Sequence, residues 1–149
     1  MNRLTVKIKK LKESAIIPNY QTEQSAGMDL HACIDEPRVI KPMERAVIPT
    51  GLAIELPDGY ESQIRARSGM AIKHGITMAN GIGTIDADYR GEYGVMVFNI
   101  SDKPFTIEPD MRIAQLIINK YESVIWQEVE TINETERGAG GFGSTGAIS

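Results

Sequence analysis

The chain is poor in the residues that build covalent or metal-held frameworks. Of its 149 residues one is cysteine, Cys33, and two are histidine, His31 and His74. A single thiol cannot close an intrachain disulfide, so the fold must hold by packing and needs no oxidising compartment. Cys33 itself reads as a small buried apolar residue. No cysteine or histidine has the spacing of a zinc site. Long apolar runs are missing as well, so no segment reads as a membrane-spanning helix. The opening MNRLTVKIKK is too polar for a signal peptide. A cytoplasmic protein without a membrane partner is the expectation. An excess of basic residues is also lacking: Lys and Arg total 16 against 20 Asp and Glu, a net charge of −4. A chain without a broad basic face is not expected to bind nucleic acid. Any phosphate it takes would be held by a few placed donors.

What is present is alternation. Hydrophobic residues make up 42% of the chain and charged residues 24%, the balance of an ordinary single domain. Leu4, Val6 and Ile8 alternate with polar neighbours, which predicts a strand exposed on one side. Leu52, Ile54 and Leu56 alternate again. The turn Pro57-Asp58-Gly59 and the run 61–67 follow, which together predict a hairpin. Residues 95–100 are apolar on both faces and predict an interior strand. The runs 105–107 and 113–118, split by Pro109-Asp110, predict another strand pair. Residues 124–132 fit either period, and their β-branched content favours a strand. One short helix is predicted, N-capped by Ser68 and closed by Gly75. Many short strands with Gly and Pro turns point to an all-β sandwich or barrel. From Arg137 onward the chain holds five glycines and almost no apolar side chain beyond Phe142 and Ile148. Such a segment cannot build its own core and is expected to be mobile until something orders it.

Five segments carry residues suited to chemistry, each with a plainer reading beside it. Arg67-Ser68-Gly69 opens the predicted helix. A helix N-terminus attracts phosphate, and Arg67, Ser68 and Gly69 would add a cationic fork, a hydroxyl and close approach. The alternative is a simply capped helix. The segment 83–91, Gly-Thr-Ile-Asp-Ala-Asp-Tyr-Arg-Gly, is a polar stretch between apolar strands. Its carboxylates suit a general base, or an ordinary turn. The tail from Arg137 to Gly146 lacks the Gly-Lys-Ser/Thr of a phosphate loop. Phe142 could stack on a base and Arg137, Ser144 and Thr145 could hold phosphate; the alternative is a disordered end. Ala26-Gly27-Met28-Asp29-Leu30 sets an acid among apolar residues. Arg112-Ile113-Ala114-Gln115-Leu116 would put Arg112 and Ala114 on one strand face and Gln115 on the other.

In this order, the five segments resemble the five motifs of the trimeric dUTPase family, over about residues 25–146. The resemblance implies a jelly-roll-like β fold with a body at 1–136 and a glycine-rich lid at 137–149. It also implies a homotrimer whose three sites are each shared by all three chains. The first, second and fourth motifs would come from one subunit, the third from a neighbour and the fifth from the remaining one. The implied activity is Mg²⁺-dependent hydrolysis of dUTP to dUMP and pyrophosphate, which limits uracil in DNA and supplies dUMP for thymidylate synthesis. By position, Asp86 resembles the general base. Tyr89 resembles the wall that excludes a 2′-hydroxyl. Asn80, in a β-hairpin with Gly83, Thr84, Ile85 and Gly94, resembles the uracil reader. Arg67, Ser68, Gly69 and Gln115 resemble the phosphate grip, and Asp29 the acid supporting the metal's water shell. Arg137, Phe142, Gly143, Ser144 and Thr145 resemble the closing lid. Two departures stand out: Ala66 replaces a common proline before Arg67, and Met111 replaces a common acid before Arg112. The first loosens a loop without removing a donor; the second affects a surface contact.

Two other readings compete. A dCTP deaminase shares the fold, but its family relies on a glutamate in the third region, where this chain has Asp86, Asp88 and Tyr89. A nucleotide-sensing regulator would be expected to carry an added surface insert, and the spacing between motifs here is compact.

Overall fold

The computed structural model describes residues 3–147. Ile148, one of the two apolar residues of the tail, lies outside them, as do the outermost ends of the expected body and lid. The chain is built of short strands with one short helix. These are β1 (Lys7–Lys10), β2 (Met28–His31), β3 (Arg38–Ile40), β4 (Arg45–Pro49), β5 (Leu52–Glu55), β6 (Tyr60–Arg65), α1 (Ser68–His74), β7 (Ile76–Met78), β8 (Gly83–Ile85), β9 (Gly94–Asn99), β10 (Phe105–Ile107) and β11 (Arg112–Lys120). They form sheets in the orders β1-β5, β3-β10, β2-β11-β6-β8 and β4-β9-β7. Each ladder is antiparallel, and none of them joins strands consecutive in sequence. The architecture is the all-β, jelly-roll-like one.

That topology overturns two local expectations. Pro57-Asp58-Gly59 does form a turn, with Tyr60 N–H donating to Pro57 O at 3.3 Å. It does not close a hairpin, because β5 pairs with β1 while β6 pairs with β11 and β8. Likewise β10 pairs with β3, not with β11. A turn signal states that the chain reverses; only the burial of both strand faces states which sheet the next strand joins. The strand predicted over 124–132 does not form among the described residues either. The stretch is coil, with Ile125 99% and Trp126 90% exposed. Its β-branched residues suit a ladder, but the stretch pairs with no strand among the described residues.

The core gathers one face of each sheet. Leu30, Ile40, Ile48, Leu52, Ile76, Val95, Val97, Ile107, Ile113 and Leu116 are fully buried. Each side chain so buried contributes about 1.5–3 kcal/mol. β9 lies in the middle of its sheet, as expected of an interior strand, yet only one of its faces is covered: Val95 and Val97 are buried while Met96 is exposed. The fully buried Asn99 side chain is satisfied. Asn99 Nδ2 donates to the carbonyls of Ile40 and Lys103 at 2.9 and 2.7 Å, and its Oδ1 accepts from Ser101 N–H and Oγ. Cys33 is buried, as expected. No helix among the described residues is long and apolar enough to cross a membrane.

α1 departs from its predicted cap. The residue in the extended N-cap conformation is Arg67, so Ser68 already belongs to the first turn, and no side chain caps the helix. Gly75 closes it in the left-handed conformation at φ 65°, as predicted.

Candidate active site

Strand register builds the first group of candidate residues. Across the order β2-β11-β6, Asp29 stands opposite Gln115, and Gln115 opposite Arg65. β6 then runs through Ala66 into Arg67, Ser68 and Gly69 at the mouth of α1. Three segments far apart in sequence thus meet at one end of one sheet. The ladder between β11 and β2 shifts register between Arg112 and Ala114. This bulge breaks the expected alternation: Ile113 and Ala114 are both buried, while Arg112 is exposed. Arg112 and Ala114 therefore do not share a face, and the Arg112 guanidinium comes round to Asp29.

Asp29 is the centre of the resulting network. Its side chain is 13% exposed and takes Arg67 Nε at 2.9 Å and Arg112 Nη1 at 3.3 Å, one on each carboxylate oxygen. Arg67 Nη1 also donates to the Arg112 carbonyl at 3.1 Å. Two cations are thereby held close together by one partly buried anion, which is costly unless all are paired. Gln115 Nε2 donates to the Ala66 carbonyl at 2.9 Å, so the residue in the usual proline position still supplies an anchor. A methyl group on Gly27 would come within 2.8 Å of Gln115 Oε1, so glycine there leaves room for the amide. Around these groups lies a hollow of about 390 Å³, lined by Gln21, Ser25, Ala26, Gly27, Asp29, Arg67, Ser68, Gly69 and Gln115. The first turn of α1 that opens onto it carries no acidic residue, which leaves its electropositive end unneutralised. A methyl group on Gly69 would meet nothing within 4 Å, so the glycine leaves space facing outward. Beside the network, His31 Nδ1 is buried without a hydrogen-bond partner among the described residues. That burial holds its imidazole below the ordinary histidine range, with Asp29 pulling the other way.

A second group lies along one continuous stretch. Asn80 sits in the connection between β7 and β8, which is not the expected hairpin, because β7 pairs with β9 and β8 with β6. Gly81 N–H donates to Met78 O at 3.0 Å, and the Asn80 amide lies against Gly83. Gly83, Thr84 and Ile85 pair with Ile64, Gln63 and Ser62. Asp86 follows directly and is exposed. A turn joins it to Tyr89, whose N–H donates to Asp86 O at 3.2 Å. Gly94 opens β9. A carboxylate and an aromatic ring are thus offered together at one exposed turn.

The third group is the tail. Arg137 Nε donates to Gly140 O at 2.9 Å, and turns close at Gly140, Ser144 and Gly146. The Phe142 ring is fully exposed. The tail curls around about 540 Å³ bounded by its own residues alone. It is the larger of the two, but only the one between β2, β11 and α1 is lined by segments far apart in sequence.

A single chain therefore brings Asp29, Arg67, Ser68, Gly69 and Gln115 together. Neither hollow includes Asn80, Gly83, Thr84, Ile85, Asp86, Tyr89 or Gly94, nor does the body's hollow include the tail. Sequence reasoning gave no role to Arg112, although a second arginine in a segment with buried neighbours was a usable signal. Gln21 and Ser25 carried no signal. Among the described residues no group of three or more His, Cys, Asp or Glu is arranged to hold a metal ion. The donor set fits a cation held chiefly by substrate phosphates and water, with the remaining lone pairs of Asp29 at its margin, and not a protein cage.

Comparison with known proteins agrees over most of the chain. The family described as dUTPase matches residues 13–146. The deoxyuridine 5'-triphosphate nucleotidohydrolase of Rickettsia felis is 59% identical over 142 residues, 95% of this chain and 96% of the relative. Among solved structures, a mutant dUTPase of Staphylococcus bacteriophage 80alpha with dUpNHpp superposes with a TM-score of 0.87. It is 29% identical and covers 95% of this chain and 98% of its own. A mutant dUTPase from phage phi11 of S. aureus, described as revealing the coordination of a structural Mg(II) ion, gives a TM-score of 0.77. It is 27% identical over 86% of this chain and 98% of its own.

Proposed function

The chain belongs to the dUTPase family, whose enzymes hydrolyse dUTP, and from that premise we propose how its residues carry the reaction. The observation that carries the reading is the prearranged polar hollow, in which Asp29 holds Arg67 beside the free end of α1, with Arg112 on its other oxygen. Such a hollow suits a triphosphate, because donors fixed in advance need not reorganise as charge develops. Arg67, Ser68, Gly69 and Gln115 grip the phosphate chain. Asp29 would support Mg²⁺ through water, and the bound ion would supply charge neutralisation on the triphosphate.

Asp86 orients a water molecule and takes its proton as the oxygen bonds to the α-phosphorus. The bond from that phosphorus to the β-bridging oxygen breaks, and pyrophosphate leaves with the electron pair. Asn80, with the backbone of Gly83, Thr84, Ile85 and Gly94, reads the uracil edge. Tyr89 packs on the deoxyribose. Arg137, Phe142, Gly143, Ser144 and Thr145, in the segment 137–149, close over the site, exclude water and hold the distal phosphate.

These groups lie in three separate places in one chain, which supports a homotrimer whose sites are completed by neighbouring subunits. The exposed Ile125 and Trp126 on the segment leading to the tail support it too, since large exposed apolar side chains grouped together mark an interface. The products suit a cytoplasmic role in limiting uracil in DNA and supplying dUMP for thymidylate synthesis.

Product analysis with Mg²⁺ and, separately, dUTP, dCTP, dTTP and UTP tests the reading. Release of dUMP and pyrophosphate from dUTP alone is the expected result. Ammonia from dCTP would overturn it in favour of a deaminase, and tight dUTP binding without cleavage in favour of a sensor.

A further inference from the structure

Tyr89 is held in place by more than its own backbone. Its hydroxyl donates to the Glu92 carbonyl at 3.0 Å, so the ring folds back over the chain that follows it. Behind it stands Tyr93, with ring centroids 6.2 Å apart and planes tilted by 42°. Tyr93 is a fixed reference: it is 1% exposed, and its hydroxyl is hydrogen-bonded to Ser62 Oγ at 2.8 Å on β6. Gly91 lies under the folded ring. A methyl carbon on Gly91 would fall onto the Tyr89 hydroxyl, within 2.5 Å of Cζ and 3.0 Å of Cε2.

The backbone at Gly91 does not call for glycine. It is absent from the glycines with positive φ, so an alanine could adopt its conformation without strain. Gly59 and Gly81 are the opposite case, with φ of 81° and 71° and nothing within 4 Å of an added methyl. Those two are glycine for the backbone; Gly91 is glycine for the space above it.

We infer that Gly91 and the Glu92 carbonyl form a seat for the Tyr89 ring and so set the depth of the recess that receives the sugar. Both are positioning groups, acting through Tyr89. The inference rests on the reading of Tyr89 as the sugar wall. Tyr89 is 45% exposed, so its ring has a way out into solvent when the seat is filled. A methyl group at residue 91 therefore displaces the wall and breaks the bond to Glu92 without forcing the core to move. The consequence is chemical, not structural: a 2′-hydroxyl gains room. A pocket that excludes an added hydroxyl by shape achieves about 10²-fold rejection, and it loses this when the close wall retreats.

The test is a cycle of Gly91→Ala, Tyr89→Ala and the double variant in the Mg²⁺-supplied full chain, reading kcat/KM for dUTP and for UTP, and the melting temperature. Gly91→Ala is expected to lower the dUTP/UTP preference about tenfold, mostly by raising activity on UTP, with an unchanged melting temperature. The double variant should match Tyr89→Ala alone, since residues acting through one contact are not additive. A Gly91→Ala enzyme with the original preference, beside a Tyr89→Ala enzyme that has lost it, overturns the seat and leaves the wall standing. An unaltered preference in Tyr89→Ala overturns the wall itself. Equal loss on both substrates with a lowered melting temperature shows a merely structural glycine and also overturns the inference. Should Gly91→Ala not fold, Tyr89→Phe decides. It frees the ring from Glu92 without adding volume, so a lowered preference supports the seat and an unchanged one overturns it.

Discussion

The hollow between β2, β11 and α1 and the glycine-rich tail carry the same kinds of residue, yet the fold treats them in opposite ways. In the hollow, the charged and amide side chains of the grip are tied to something. Asp29 holds Arg67 and Arg112, Gln115 is tied to Ala66, and the strands beneath are in fixed register. In the tail, among the described residues, the Arg137 side chain is hydrogen-bonded only to Gly140, and Phe142 is fully exposed. The difference lies in what the neighbouring backbone does. Strands inserted in a four-stranded sheet are ordered by the whole core, whereas turns closed over three or four residues are ordered only by themselves. The hollow can therefore wait preformed for a polyanion, while the tail gains order only on contact, at a cost in conformational entropy.

The variants that break this comparison can be ranked by expected effect. Asp86→Asn should lower kcat by roughly 10²–10⁴-fold while nucleotide binding persists, because a general base is lost and the grip is not. Near-normal turnover in steady-state assays would remove Asp86 from its role. Deleting residues 137–149 should lower kcat/KM by about 10²-fold, in line with losing charge-stabilising donors, with no change in the thermal unfolding of the body. Unchanged kinetics would show that the tail is no lid. Asp29→Asn should lower kcat/KM for dUTP roughly tenfold, as a charge-assisted tether worth about 1.5–3 kcal/mol is weakened and Arg67 is freed. Its isolated effect on dissociation constants for dUTP, measured calorimetrically, separates grip from chemistry.

The smallest effect is spectroscopic and concerns the segment between the two regions. The chain has one tryptophan, Trp126, so its emission reports on that segment alone. A homotrimer that covers Trp126 should emit at shorter wavelength than the dissociated chain. An emission that stays at the solvent-exposed wavelength across the dissociation range would remove the segment from the interface.

The candidate residues were legible before the fold. The spacing of Asp86 and Tyr89, the polar stretch at 83–91 and the Arg-Ser-Gly at the helix start are local signals, and local chemistry survives folding. The helix end at Gly75 was legible for the same reason, since a left-handed closing residue is a one-position requirement. Other features were not legible. The turn at 57–59 suggests a hairpin and the break at 109–110 a strand pair, because nothing local distinguishes a reversal within a sheet from a crossing between sheets. Ser68 was read as a cap, but the chain enters the helix one residue earlier, at Arg67. The face of Arg112 was misread, because a bulge adds a residue that strict alternation does not count.

The all-β class, the short helix and the types of the candidate residues follow from local sequence, because period, turn chemistry and acid–base character are properties of a few neighbouring side chains. Which strands pair, the sharing of Asp29 between Arg67 and Arg112, and the place of Gly91 under the ring of Tyr89 come only with the packed fold. Those are contacts between residues brought together by burial. Burial is decided by the whole core at once, and no short stretch of sequence carries it.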